Sequence, residues 1–310
     1  MNGTKSLVES SLLTGLAVVL FLAARYVPVA GVVLSLLCPA PLVILGLRHR
    51  PKMSVVGLVV ATVMVALLSG PVSAVSFCLG FGVLGVGLGI LASRLHSAVD
   101  IMLYGVAVSL ISKLALMVVL TKLTGINPFD PDLDQVRSTM EKVFSLYRGQ
   151  DMEGIKDQIE QTVRAIPMMF PAMITMASAV DCLLSYWVSR KVLARIGGVV
   201  LPSLPPFSSW RFPKSLLWAF ALSVVLLLFE STLKDPLLSR IGLNLRLLVS
   251  MIFMVQGLSL IWDYMDYRSI SRGWRIALIT LVVLIPLLSQ IAVVLGLTDL
   301  WANIRTRYRR

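Results

Sequence analysis

Residues 100–123 read DIMLYGVAVSLISKLALMVVLTKL. Between Asp100 and Lys122 the run holds one charged side chain, Lys113, and no proline. About 17–25 apolar residues are needed to cross a hydrocarbon core. Lipid offers the backbone no hydrogen-bond partner, so such a run must be helical to cross. Outward from it lie further candidates at 8–24, 27–47, 53–69, 72–93, 163–189, 215–233, 243–262 and 274–297. The whole chain agrees with this reading. Of its 310 residues 57% are hydrophobic and only 14% charged, with a mean hydropathy of +0.87. Soluble domains carry about 25% charged residues. A soluble globule, a disordered chain, a disulfide-rich secreted scaffold and a cytosolic enzyme are thereby excluded. The expected fold is an all-α, polytopic transmembrane helix bundle of eight or nine spans.

The net charge is +12. Its basic residues fall in short tracts beside apolar runs, such as Arg48, Arg50 and Lys52, or Arg190 and Lys191. That is the pattern of cytoplasmic loops facing anionic headgroups, so membrane lipid rather than nucleic acid is the expected partner. The tract Arg48-His49-Arg50-Pro51-Lys52 then lies inside, as does the N-terminus. Segment 122–164 falls outside, with six basic against eight acidic residues. Nine spans would place Arg305, Arg307, Arg309 and Arg310 outside, against the rule. Segment 243–262, interrupted by Asn244, Arg246 and Gln256, is the weakest span by polarity.

Two amphipathic helices are expected over the outer loop, 125–162. Leu133, Val136, Met140, Val143 and Tyr147 recur at helical spacing, as do Met152, Ile155, Ile159 and Val163. The expected organisation is a six-span bundle over 1–195, then an aromatic, proline-rich interfacial segment and two or three further spans over 196–310.

Ionisable groups within spans are costly, which makes Lys113 and Asp181 informative. At about 1.5 Å per residue, Lys113 sits roughly 20 Å, and Asp181 roughly 12 Å, above the inner ends of their helices. A lysine side chain covers much of that gap, so the two are expected to meet. The pair is either a gate or substrate-binding pair, or an internal ion pair that sets helix register. Pro167 and Pro171 invite a kink in the same span. Met169, Met173 and Met176 would give it a pliable lining suited to a small-molecule ligand. Gly85 and Gly89, four apart, form a face for close helix packing. Ser11 and Gly15 begin a second small-residue stripe, broken by Val19.

No phosphate-binding loop, zinc-protease motif or serine-hydrolase elbow occurs. The G-x-G-x-x-G at Gly80, Gly82 and Gly85 lies inside an apolar run, where helix packing explains it better than a dinucleotide does. Cys38, Cys78 and Cys182 show no metal spacing. No cofactor, metal or enzymatic activity is expected.

Two resemblances follow from particular stretches. Trp210-Arg211-Phe212-Pro213, Asn244 followed by Gln256-Gly257, Leu295-Gly296-Leu297-Thr298-Asp299-Leu300-Trp301 and the closing Arg305 resemble the YybS-type family of predicted bacterial membrane proteins. The turn after Pro39-Ala40-Pro41-Leu42 fits as well. Residues 1–195 also resemble the substrate-binding S components of energy-coupling factor transporters. The likeness lies in a small-residue first helix, a proline-rich second and a glycine-rich stretch. That second resemblance implies an inner-membrane protein that binds and translocates a small solute, docking through Ser11 and Gly15 on a membrane coupling subunit with a separate ATPase. The alternative is a non-transport scaffold or assembly factor that binds other membrane proteins.

Overall fold

The computed structural model describes residues 3–125, 138, 152–197, 201–233 and 235–308. Among them all regular structure is helical. The helices are α1 (Gly3–Tyr26), α2 (Pro28–Leu37), α3 (Ala40–His49), α4 (Pro51–Ser69), α5 (Pro71–Phe77), α6 (Val83–Arg94), α7 (Ala98–Thr124) and α8 (Met152–Ile196). After a single 3-10 turn at Phe207–Ser209 come α9 (Ser215–Leu233), α10 (Pro236–Tyr267), α11 (Arg272–Leu284), α12 (Pro286–Ala302) and α13 (Ile304–Tyr308).

Among the described residues six helices are long and apolar enough to cross a membrane, or seven if α11 and α12 count as one. The chain is therefore a polytopic helical membrane protein. Three expected spans differ from a plain crossing. Segment 27–47 divides at Cys38-Pro39 into two ten-residue helices, because Pro39 and Pro41 remove backbone donors in succession. The apolar helix beginning at Ser215 is short, ending at Phe229 by the same criterion. Segment 274–297 bends by 104° between α11 and α12, at the break before Pro286. Conversely 243–262, the weakest by polarity, lies in one of the six full-length helices. Its Asn244 and Gln256 are satisfied from within the protein, as described below.

The chain forms two compact units, 1–131 with 174–204, and 132–173 with 205–310. This differs from a division at 195. Asn244 of α10 holds Met168 and Ala172 in the second unit. Tyr186 and Arg190 of α8 hold the carbonyls of Pro202 and Leu201 in the first. The first amphipathic stretch of 125–162 lies outside the described residues, Ser138 apart. The second, from Met152, is continuous with the helix that follows.

Glycine decides how the first unit packs. A Cβ on Gly85 would lie 2.7 Å from the Pro39 carbonyl oxygen, and one on Gly89 3.4 Å from that of Val43. The expected close face is thus occupied by α3. Gly82 meets Leu58 of α4, while Gly87 meets Val108 of α7. Cys78–Gly82 form a wide π turn, and Ser112 of α7 donates to the Leu79 carbonyl at 2.5 Å. The other expected stripe faces away from the core. On α1 the buried face is Ser10, Thr14, Ala17, Val18 and Phe21, whereas Ser11 is exposed and a Cβ at Gly15 would meet nothing within 4 Å.

In the second unit Gly257 and Gly296 bring α10 and α12 into backbone contact. A Cβ on either would stand 1.9 Å from a carbonyl oxygen of the other helix, Ala292 or Phe253. Gly296→Ala should therefore lower the thermal stability of the detergent-purified protein by at least 1–3 kcal/mol, roughly the cost of overpacking. Gly15→Ala should leave it unchanged or slightly raised, since alanine is the better helix former by about 1 kcal/mol. Equal effects would contradict the packing.

Candidate functional site

In the first unit a charged pair joins two apolar helices. Lys113 Nζ of α7 lies 2.7 Å from Asp181 Oδ2 of α8 and donates to Ser109 Oγ at 2.7 Å. The lysine and aspartate side chains keep 16% and 14% of their exposure. Ser109 and Lys113 are one turn apart, so a single helix face presents both. On α8, Ser178, Cys182, Ser185 and Ser189 are fully buried at heptad-like spacing. Such small residues let helices approach closely in lipid. Cys182 accordingly sits where a Cβ on Gly105 of α7 would be only 2.6 Å from its sulfur. Ser185 Oγ, one turn from Asp181, is buried without a hydrogen-bond partner. This small polar seam escaped the sequence reading, although four small residues at that spacing are a legible sign.

Met173 is 49% exposed, on the α8 stripe that also carries exposed Val180 and Trp187. Seven-residue spacing puts those three on one face. Met176 lies about 140° around the helix axis from Asp181. Met169 and Met173 belong to the second unit, whereas Asp181 belongs to the first.

The proline pair of α8 has an internal partner. In an unbroken helix the Ala172 N–H would bond the Met168 carbonyl. Here Ala172 N–H donates to Asn244 Oδ1 at 2.7 Å, and Asn244 Nδ2 donates to the Met168 oxygen at 2.7 Å. One amide from α10 thus serves both groups beside Pro171, the insertion that proline-bearing helices accept.

A second cluster stands at the end of α3. Glu9 Oε1 pairs with Arg48 Nε at 2.8 Å and Glu9 Oε2 with His49 Nε2 at 3.1 Å, while His49 Nδ1 meets Ser6 Oγ at 2.9 Å. It ties the first turns of α1 to the end of α3. The sequence placed His49 at this face without a partner, because Glu9 is forty residues away.

Among the described residues the largest buried polar network lies in the second unit. Gln256 Nε2 donates to Asp299 Oδ2 at 2.6 Å and Gln256 Oε1 accepts from Phe212 N–H at 3.2 Å. Arg305 Nε reaches the same Asp299 oxygen at 3.2 Å. Its Nη2 donates to Ser259 Oγ at 3.0 Å and to the Trp210 carbonyl at 3.2 Å, and its Nη1 to the Ser208 carbonyl. Ser259 Oγ donates to the Phe207 carbonyl at 2.6 Å. Gln256, Ser259, Asp299 and Arg305 are all buried. Asn303, in the left-handed conformation at the end of α12, turns the chain so that Arg305 can reach back. The motifs of segment 210–213, Gln256-Gly257, Gly296 to Asp299 and Arg305 thus meet in one cluster.

The family model for predicted membrane proteins designated DUF2232 matches residues 15–300. The chain belongs to that family. It is 24% identical over 314 residues to "Uncharacterized protein YybS" of Bacillus subtilis (strain 168), covering the full length of both. No solved structure matches.

For this family member the Arg305 cluster is a structural lock, since each of these hydrogen bonds satisfies a group that lipid or packed apolar side chains would strand. Removing one partner of a buried ion pair costs about 3–5 kcal/mol. Arg305→Met should therefore cost about that much in thermal unfolding, whereas Arg305→Met with Asp299→Leu should recover part of the loss. A single variant as stable as the parent would show that the charges are not held as described.

Proposed function

We propose that this integral membrane protein binds a small polar solute and carries it across the membrane, with Lys113 and Asp181 as the charged contacts. One observation carries the reading. An ion pair 2.7 Å long sits within two apolar helices, yet neither side chain is fully enclosed. The buried, unpartnered Ser185 hydroxyl one turn from Asp181 supports it. Such a group costs about 1–3 kcal/mol when unmet, and a water or solute polar group would meet it. The resemblance of residues 1–195 to S components points the same way. The reading is non-enzymatic: binding and release, without a covalent step. It takes the inner membrane of a bacterium as the location and a cytoplasmic N-terminus.

The face of α1 with exposed Ser11 and with open space at Gly15 is then the docking face for a membrane coupling subunit, which brings an ATPase. The same open face favours a second reading, a scaffold that assembles other membrane proteins. Affinity purification from native membranes separates them. An ATPase-containing partner supports transport, and stoichiometric partners without one support the scaffold.

The charged pair is tested by Asp181→Asn, Lys113→Met and the double variant. Each single variant should lose stability, by about 3–5 kcal/mol, and the double should recover part of it. Stabilisation of the parent by compounds of a metabolite library should be lost in all three. A double variant that keeps both its stability and every compound-dependent shift would reduce the pair to a helix-register device.

A further inference from the structure

We infer that α11 and α12 do not cross the membrane but form a re-entrant hairpin seated in one leaflet, with the C-terminus returning to the side on which α11 begins. The observations lie within the second unit and are independent of the solute reading. The start of the hairpin is fixed to the C-terminal end of α10. Arg275 pairs with Asp266, donates through Nε to the Ile270 carbonyl at 2.6 Å, and lies 5.8 Å from the Trp262 ring centroid. The far end is fixed near the same place. Arg305, three residues beyond α12, binds Ser259 of α10 and the carbonyls of Ser208 and Trp210. Phe207 of that irregular segment stacks edge-on to Trp262 at 6.1 Å between ring centroids. Trp262 and Ser259 are three residues apart, or roughly 4.5 Å along the helix. A crossing would have separated the two ends by about 30 Å.

The packing of α12 agrees. Ala292 lies against Gly257, Gly296 against Phe253, and Leu300 in the cluster of Val249 and Phe253. The two helices thus cross closely at Gly257 and Gly296. Asn303, in the left-handed conformation after α12, turns the chain so that Arg305 reaches Ser259. The 104° bend at Pro286 supplies the turn.

The occupant of the outer faces is the lipid of that leaflet. Leu287, Ile291, Val294 and Trp301 form an exposed apolar stripe on α12, opposite the buried Ala292, Gly296 and Asp299. Trp274 and Leu284 of α11 are 74% and 72% exposed. At the same end of the unit, Arg211, Lys214, Arg268 and Arg272 are exposed. They offer a cationic rim to anionic headgroups, worth about 1 kcal/mol per residue near the surface. That side is the cytoplasmic one, which returns Arg305, Arg307, Arg309 and Arg310 to agreement with the positive-inside rule.

The test places single cysteines in the full chain, Ser269→Cys before α11 and Thr306→Cys after α12, both exposed positions. A membrane-impermeant maleimide is applied to right-side-out and inverted vesicles, with the parent chain as background. Both cysteines should label only in inverted vesicles. Labelling from opposite faces would overturn the inference. As a second measurement that needs no substitution, a fluorescent protein that matures only in the cytoplasm is fused after Arg310. Fluorescent cells support the hairpin, and a dark, stably inserted fusion overturns it.

Discussion

A polar group placed among apolar helices must find its partner inside the protein, because lipid supplies none. Most of this fold follows from that requirement. Asn244 completes the α8 backbone beside Pro171. Gln256, Asp299 and Arg305 serve one another and the irregular 207–212 backbone. Lys113 and Asp181 answer each other across α7 and α8. Each of these solutions also dictates which helices touch, so satisfaction of polar groups and tertiary arrangement are one problem here.

Close packing is the second half of that problem. Apolar side chains gain little by leaving lipid for one another, so helices associate through contact area and hydrogen bonds. Gly85 and Gly89 admit α3, Gly105 admits the Cys182 sulfur, and Gly257 with Gly296 join α10 to α12. Where glycine removes the side chain, serine and cysteine hydroxyl and thiol groups sit close enough to reach the neighbouring backbone, as Ser112 does at Leu79.

The two units use their buried charges differently. In the second, Arg305 is enclosed by acceptors on every side, an arrangement that holds a shape. In the first, the Lys113–Asp181 pair retains some access and stands beside the unmet Ser185 hydroxyl.

Composition and apolar run length by themselves determined the class: a chain that is 57% hydrophobic and 14% charged has no way to fold except as helices in lipid. Helical rise alone was enough to pair Lys113 with Asp181, because depth in a membrane is a one-dimensional quantity that residue number measures. Rotation about a helix axis is not. The stripe of Ser11 and Gly15 and the methionines of α8 were legible as patterns, but which way they faced depended on neighbours far away in sequence. The same holds for Glu9 with His49 and for Arg305 with Ser208, forty and ninety-seven residues apart. Run length also could not distinguish a span from a hairpin at 274–297, since both bury the same apolar residues. Only the contacts of Arg275 and Arg305 along α10 decide between them.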